Sequence, residues 1–195
     1  MMSNSTYSST HWTYSPDLQK ENADRSKLRT SSYTIVNENS TDATVSCILD
    51  RTKRFLGFIP FVEIEELQIG RTQEGQQHPF HVDYYLESEL ELEEKKNCNR
   101  AASFFVFMSD VEQGGETYFP LVDIPSDAEA MDMSKFRKIT TPDGFGLMVK
   151  PVKGNAIFWM NMLKNGTMDE RMVHSGIKVS KGTKYGLNIL VLQCT

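Results

Sequence analysis

Between residues 43 and 58, ATVSCILDRTKRFLGF, apolar side chains fall at Val45, Ile48, Leu49, Phe55 and Leu56. That is close to the i, i+3, i+4 spacing of a helix with one apolar face. Gly57 and Pro60 end the pattern, and NENSTD (37–42) before it offers N-cap side chains. Before that, RTSSYTIV (29–36) is rich in β-branched and aromatic residues and predicts a strand. From Ile64 onward the pattern changes to short apolar runs broken by turns. EELQIGRTQ (65–73) and HPFHVDYY (78–85) read as two strands around a hairpin-like EGQQ turn. RAASFFVFMSD (100–110) predicts a core strand buried on both faces, and GGETYFP (114–120) a turn into a short strand. GLMVKP (146–151), NAIFWMN (155–161) and TKYGLNILVLQ (183–193) predict three more. Residues 121–143, with Pro125 and Pro142, read as an inserted loop, and the charge run ESELELEEKKN (87–97) as a solvated one. One early helix followed by many short strands predicts a mainly β fold, a sandwich or jelly roll with a helical side layer.

Residues 1–28 are polar and charged, with a short helix expected at 17–27 and little except Trp12 and Tyr14 to anchor them. They read as an N-terminal arm, and 29–195 as one domain, which a chain of 195 residues accommodates. A net charge of -5 argues against general nucleic-acid binding, which needs a basic face. No run reaches the roughly 20 apolar residues that span a bilayer, and the start lacks the apolar stretch of a secretory leader. Cys47, Cys98 and Cys194 have no paired spacing. This odd, sparse set predicts reduced thiols and, with the polar start, a cytoplasmic protein.

The chemistry concentrates at His81-Val82-Asp83. On a strand, residues i and i+2 point to one face, so an imidazole and a carboxylate project together. Two histidines and one carboxylate with open positions make the facial arrangement of non-heme iron(II) oxygenases. The chain has four histidines. His11 lies in the arm and His78 in the same strand, which leaves His174, in MVHSG, as third ligand. A His-x-Asp pair alone is common, and its flanks decide its meaning.

LQIGRTQEGQQHPFHVD (67–83) resembles the order L-Q-x-x-R-Y-x-x-G-Q-x-Y-x-x-H-x-D of the prolyl 4-hydroxylase-like branch of the 2-oxoglutarate/Fe(II)-dependent dioxygenases. RAASFFVFMSDVEQGGETYFP (100–120), VKPVKGNAIFWMN (149–161) and DERMVHSGIKVSKGTKYGLNI (169–189) resemble its later blocks, in order. The resemblance implies a double-stranded β-helix (jelly roll). It also implies iron(II) held by His81, Asp83 and His174, with 2-oxoglutarate as cosubstrate and O2 as oxidant. By the same resemblance Lys184 pairs with the distal carboxylate of 2-oxoglutarate, Thr117 is a second donor to it, and Arg100 takes part in substrate binding. An apolar lining is expected from Phe104, Val106, Ile157 and Trp159.

Three positions depart from the family pattern. Thr72 stands where a tyrosine donates to 2-oxoglutarate, and keeps a hydroxyl with shorter reach. His78 replaces a tyrosine beside the substrate, and Leu190 replaces a tryptophan. The implied activity is hydroxylation or other oxidation of a C–H bond in a protein, peptide or small-molecule substrate. The departures keep two alternatives open: an oxygenase of a free amino acid or small metabolite, and a binding module that keeps the barrel without turnover. Family domains begin with a strand and helix that the first 28 residues do not resemble. The arm, or a partner chain as in a homodimer, is expected to cover that surface.

Overall fold

The computed structural model describes residues 31–36, 42–59, 62–86, 98–123, 134–141 and 144–194. The polar arm with its expected helix, and the acidic run at 87–97, lie outside the described residues.

Two sheets form a jelly roll. The larger runs β1 (Ser32–Val36), β3 (Leu67–Gln73), β13 (Thr183–Cys194), β5 (Cys98–Phe107) and β10 (Ala156–Met160), with β2 (Val62–Ile64) also paired to β13. The smaller runs β4 (His78–His81), β11 (His174–Gly176), β7 (Thr117–Phe119), β9 (Gly144–Val149) and β8 (Phe136–Thr141). A two-stranded ribbon pairs β6 (Gln113–Gly114) with β12 (Val179–Lys181).

The expected helix is α1 (Ala43–Phe55), capped by Asp42, whose carboxylate accepts from Thr44 N. Its Val45, Ile48 and Leu49 pack on Leu67, Leu187 and Ile189 of β3 and β13. Alternation then sends Lys184, Asn188 and Leu190 of β13 to the opposite face, where they line an interior cavity. The same alternation settles β5: Phe104 and Val106 pack in the layer under α1, while Phe105 lines the cavity. Of the four apolar lining residues expected, Trp159 is the one that lines it.

Four other expectations change. The EGQQ turn makes no hairpin, because β3 and β4 belong to different sheets and the turn carries the chain between them. The inserted loop at 121–143 contains a strand, β8, paired along β9. Asp83 lies in a bend beyond the end of β4, not on the strand with His81. And the thiols are not all reduced: Cys194 on β13 lies opposite Cys98 on β5, and a disulfide joins them, leaving Cys47 free and exposed. The pairing follows from strand register between residues 96 apart, which cysteine spacing does not reveal. A disulfide typically stabilises a fold by about 2–4 kcal/mol, and this one removes the cysteine argument for a reducing compartment. Among the described residues no helix is long and apolar enough to cross a membrane.

Candidate active site

His81 ends β4 and His174 begins β11, and the two are register partners in the smaller sheet. That pairing brings together imidazoles 93 residues apart in the chain, their ring centroids separated by 4.2 Å. Each ring has its Nδ1 on a main-chain carbonyl: His81 on Pro79 O at 2.9 Å and His174 on Met172 O at 2.8 Å. A carbonyl can only accept, so both Nδ1 atoms carry the proton and both Nε2 lone pairs are free for a ligand. Asp83 Oδ1 lies 3.5 Å from His81 Nε2 and 3.7 Å from His174 Nε2. The three ligating atoms all fall within 4.8 Å of one another, as a shared metal ion requires.

The surroundings hold these groups in place. Asp83 Oδ2 accepts from Ser103 Oγ at 2.6 Å, and Arg100 Nη1 donates to the Asp83 carbonyl at 3.0 Å. Burial pushes the Asp83 carboxyl up. The neighbouring His81 and His174 imidazoles and the Ser103 hydroxyl outweigh it and hold the group below the ordinary carboxylate range. The His174 ring sits between Phe119 and Trp159, at centroid distances of 5.2 and 4.9 Å. Burial there pushes its pKa down to about 4, against the favourable charge of Asp83. It is therefore neutral at pH 7 and able to ligate.

Lys184 lies on another part of the same cavity wall, with 6% of its surface exposed. It faces Thr72 across the β3–β13 pair, and its Nζ is 3.4 Å from Thr117 Oγ1. The Phe105 ring lies 4.7 Å from Nζ and Phe107 5.4 Å away. Phe105 fits because Gly186 beside it has no side chain; a Cβ there would collide with the ring. Thr117 is delivered by the Gly114-Gly115 turn, where both residues have positive φ (80° and 74°) and a Cβ on Gly114 would strike the Lys178 carbonyl. Burial pushes the Lys184 ammonium down to about 7, partly opposed by the charge of Glu116. Among the described residues no carboxylate comes within ion-pair distance of it. The cavity has a volume of about 290 Å³ and is walled by both sheets.

No family model matches the chain. Individual relatives do. Prolyl 4-hydroxylase 5 of Arabidopsis thaliana is 35% identical over 162 residues, covering 82% of this chain and 52% of the relative. Prolyl 4-hydroxylase 2 of the same plant is 30% identical over 166 residues, covering 82% and 51%. Among solved structures, the viral collagen prolyl hydroxylase of Paramecium bursaria Chlorella virus-1, in its 2-oxoglutarate complex, superposes with a TM-score of 0.63. Its identity is 22%, over 85% of this chain and 80% of that one. The chain belongs to the prolyl 4-hydroxylase-like family of 2-oxoglutarate/Fe(II)-dependent dioxygenases. It spans about half the length of the curated relatives it matches.

Iron(II), 2-oxoglutarate and O2 are the cofactors of a prolyl 4-hydroxylase-like dioxygenase, and the residues present fit the first two. Two imidazole nitrogens and one carboxylate oxygen converge as an open three-ligand set. A buried ammonium without a carboxylate is a costly feature that an incoming carboxylate relieves. The Thr117 hydroxyl lies beside that ammonium, and Thr72, the register partner of Lys184 on β3, lines the same cavity.

In this family member His78 stacks on the His81 ring at 4.1 Å and lines the cavity, in contact with one of the three residues that could hold a metal. Arg100 also lines the cavity, but much of its guanidinium is committed. Its Nε and Nη2 donate to Glu65 at 2.7 and 2.8 Å, and its plane lies 4.4 Å from the Tyr85 ring. Of its five N–H groups, two remain for a ligand after these bonds and the one to Asp83. Sequence reasoning missed Ser103, Glu65, Phe105, Phe119, Tyr33 and Gln68. Alternation from Arg100 would have pointed to Ala102 and Phe104; the register shift opposite Val191 and Leu192 puts Ser103 and Phe105 on the site's side instead. Glu65 has no sequence signal either.

Proposed function

We propose that this chain hydroxylates a prolyl residue in a peptide, with iron(II), 2-oxoglutarate and O2 as cofactors. The observation that carries the proposal is one cavity holding the His81, Asp83 and His174 ligand set together with the uncompensated ammonium of Lys184. His81 Nε2, His174 Nε2 and Asp83 Oδ1 would hold the iron. Lys184, with the Thr117 hydroxyl and Thr72, would bind the distal carboxylate of 2-oxoglutarate. Bound together, the cofactors supply an oxidant that replaces a C–H hydrogen by hydroxyl, with succinate and carbon dioxide as co-products. Phe105, Phe107 and Trp159 exclude water from that chemistry and strengthen the charge interactions of the site.

The peptide substrate rests on the relatives' names and on groups along the cavity. Gln68 and Asn188 are register partners that line it, and neither side chain has a hydrogen bond among the described residues. Their carboxamides offer donors and acceptors of the kind a peptide group uses. The two remaining Arg100 N–H groups can serve a substrate carbonyl. A prolyl hydroxylase of Trichoplax adhaerens, solved with a hypoxia-inducible-factor peptide, has the same fold, with a TM-score of 0.53 at 9% identity. A free amino acid or small metabolite is the second reading, favoured by His78 and Leu190 at positions where the family has larger aromatic rings.

Succinate release with proline-rich peptides, against a panel of free amino acids, decides between the two, with mass spectrometry for a gain of one oxygen. Turnover of the small molecules alone would reject the peptide reading. If manganese and 2-oxoglutarate raise the melting temperature but no substrate yields succinate, the chain is a binding module.

A further inference from the structure

We propose that Asn161 is the positioning residue that fixes two of the three iron ligands, Asp83 through its side chain and His174 through its main chain. The inference rests on reading the His81, Asp83 and His174 cluster as the iron site.

Asn161 follows the last residue of β10 and is fully buried. Its Nδ2 donates to Ser103 Oγ at 3.0 Å, and Ser103, also fully buried, donates its only proton to Asp83 Oδ2 at 2.6 Å. A hydroxyl whose proton is committed presents lone pairs, so the group facing it must be a donor. Asparagine supplies that donor and aspartate does not. With Oδ2 held from behind, Oδ1 is the oxygen left facing His81 and His174.

The other connection runs through the backbone. Asn161 N donates to Ala101 O at 2.7 Å, two residues before Ser103, so both ends of the Asn161–Ser103 link are tied to β5. Asn161 O accepts from Asp169 N at 2.8 Å. Asp169 then caps the short 3-10 turn Glu170–Met172: its side chain accepts from Arg171 N, and its carbonyl accepts from Met172 N. Met172 O is the acceptor that sets the His174 ring. The intervening segment is closed on itself by the Met162–Met168 bridge and by Leu163 N on Thr167 O, so it transmits position and does not absorb it. A continuous set of hydrogen bonds therefore joins the carboxylate ligand to one imidazole ligand, with Asn161 at its centre. Outer partners of this kind change metal affinity by about 10–100-fold when removed.

The test is Mn(II) binding, read as free ion by electron paramagnetic resonance, on wild type, Asn161→Asp, Ser103→Ala and Ser103→Thr. Asn161→Asp keeps the side-chain shape, and Ser103→Thr keeps the hydroxyl. The expected result is a dissociation constant about 10–100-fold higher for Asn161→Asp and Ser103→Ala, with Ser103→Thr within about threefold of wild type. In the Co(II)-loaded protein, the shifted Nδ1 proton signal of His174 should persist in Asn161→Asp, which keeps the main-chain bonds to Ala101 and Asp169. Should Asn161→Asp fail to fold, the Ser103→Ala and Ser103→Thr pair decides alone. Metal affinity unchanged in folded Asn161→Asp or in Ser103→Ala overturns the inference. Failure of the wild type to bind Mn(II) would instead overturn the iron-site reading beneath it.

Discussion

The two charged parts of the cavity treat charge in opposite ways. Around Asp83 there is an excess of partners: Ser103, His81 and His174 at the carboxylate, and Arg100 at its carbonyl. Around Lys184 there is one hydroxyl at 3.4 Å and two phenyl rings. The first region is assembled by the fold before any ligand arrives. The second carries a charge whose compensation must come from outside. A preorganised anion suits a metal that tolerates little reorganisation, and an uncompensated cation suits a cosubstrate that enters and leaves each cycle.

The largest effect should come from breaking the first region. His174→Ala should abolish Mn(II) binding and lower succinate release by at least about 10³-fold, the loss of an essential ligand, measured by metal titration and turnover on one preparation. Lys184→Met breaks the second region alone. The apparent KM for 2-oxoglutarate should rise by about 10²-fold, roughly the 2–3 kcal/mol of a charge-assisted pair, with metal affinity unchanged. The same variant should make the ligand-free protein more stable, by about 1–4 kcal/mol in denaturant melts, because it removes a buried unpaired charge.

The pH dependence sharpens the contrast with a smaller effect. Lys184 has a folded pKa of about 7, below the 10.5 of a free lysine. Burying its charged form costs stability. That cost is fully present below about pH 7 and disappears as pH rises towards 10.5, where the unfolded chain binds the extra proton. Ligand-free wild type should therefore gain stability over that window, and Lys184→Met should lose this gain. Over the same rise, 2-oxoglutarate affinity should fall by up to about tenfold per pH unit, followed by calorimetry. The smallest effect is expected at Thr72, half-buried and short: Thr72→Val should raise the 2-oxoglutarate dissociation constant by about threefold or less, within one weak hydrogen bond.

The parts of the fold legible in the sequence were those long enough to show a period or an apolar run. α1 carries a helical period, and β5, β10 and β13 carry apolar runs. β2, β6 and β12 have two or three residues, too few for alternation to stand out. Placing Phe104 and Val106 in the cavity was an error of parity. Both faces of β5 are apolar, so only its pairing with β13, Phe105 beside Asn188, decides which face is inside. The three ligand residues and Lys184 were reachable because their types are rare and their flanks match a family. Ser103 and Asn161 are common residue types whose meaning lies in what they touch, as is Glu65. Asp83 was placed correctly beside His81 for a reason the structure changes, since a bend and not a strand turns it inward.

β13 has a consequence for how the molecule comes together. It is the only described strand paired with β2, β3 and β5, and it follows all of them in the chain. Until residues 183–194 arrive, those three strands lack their common neighbour, and such distant pairings are slow to find. Lys184 arrives on that same strand. The event that completes the larger sheet is therefore also the event that gives the cavity its positive charge, and a half-assembled molecule should have no means of capturing the dicarboxylate.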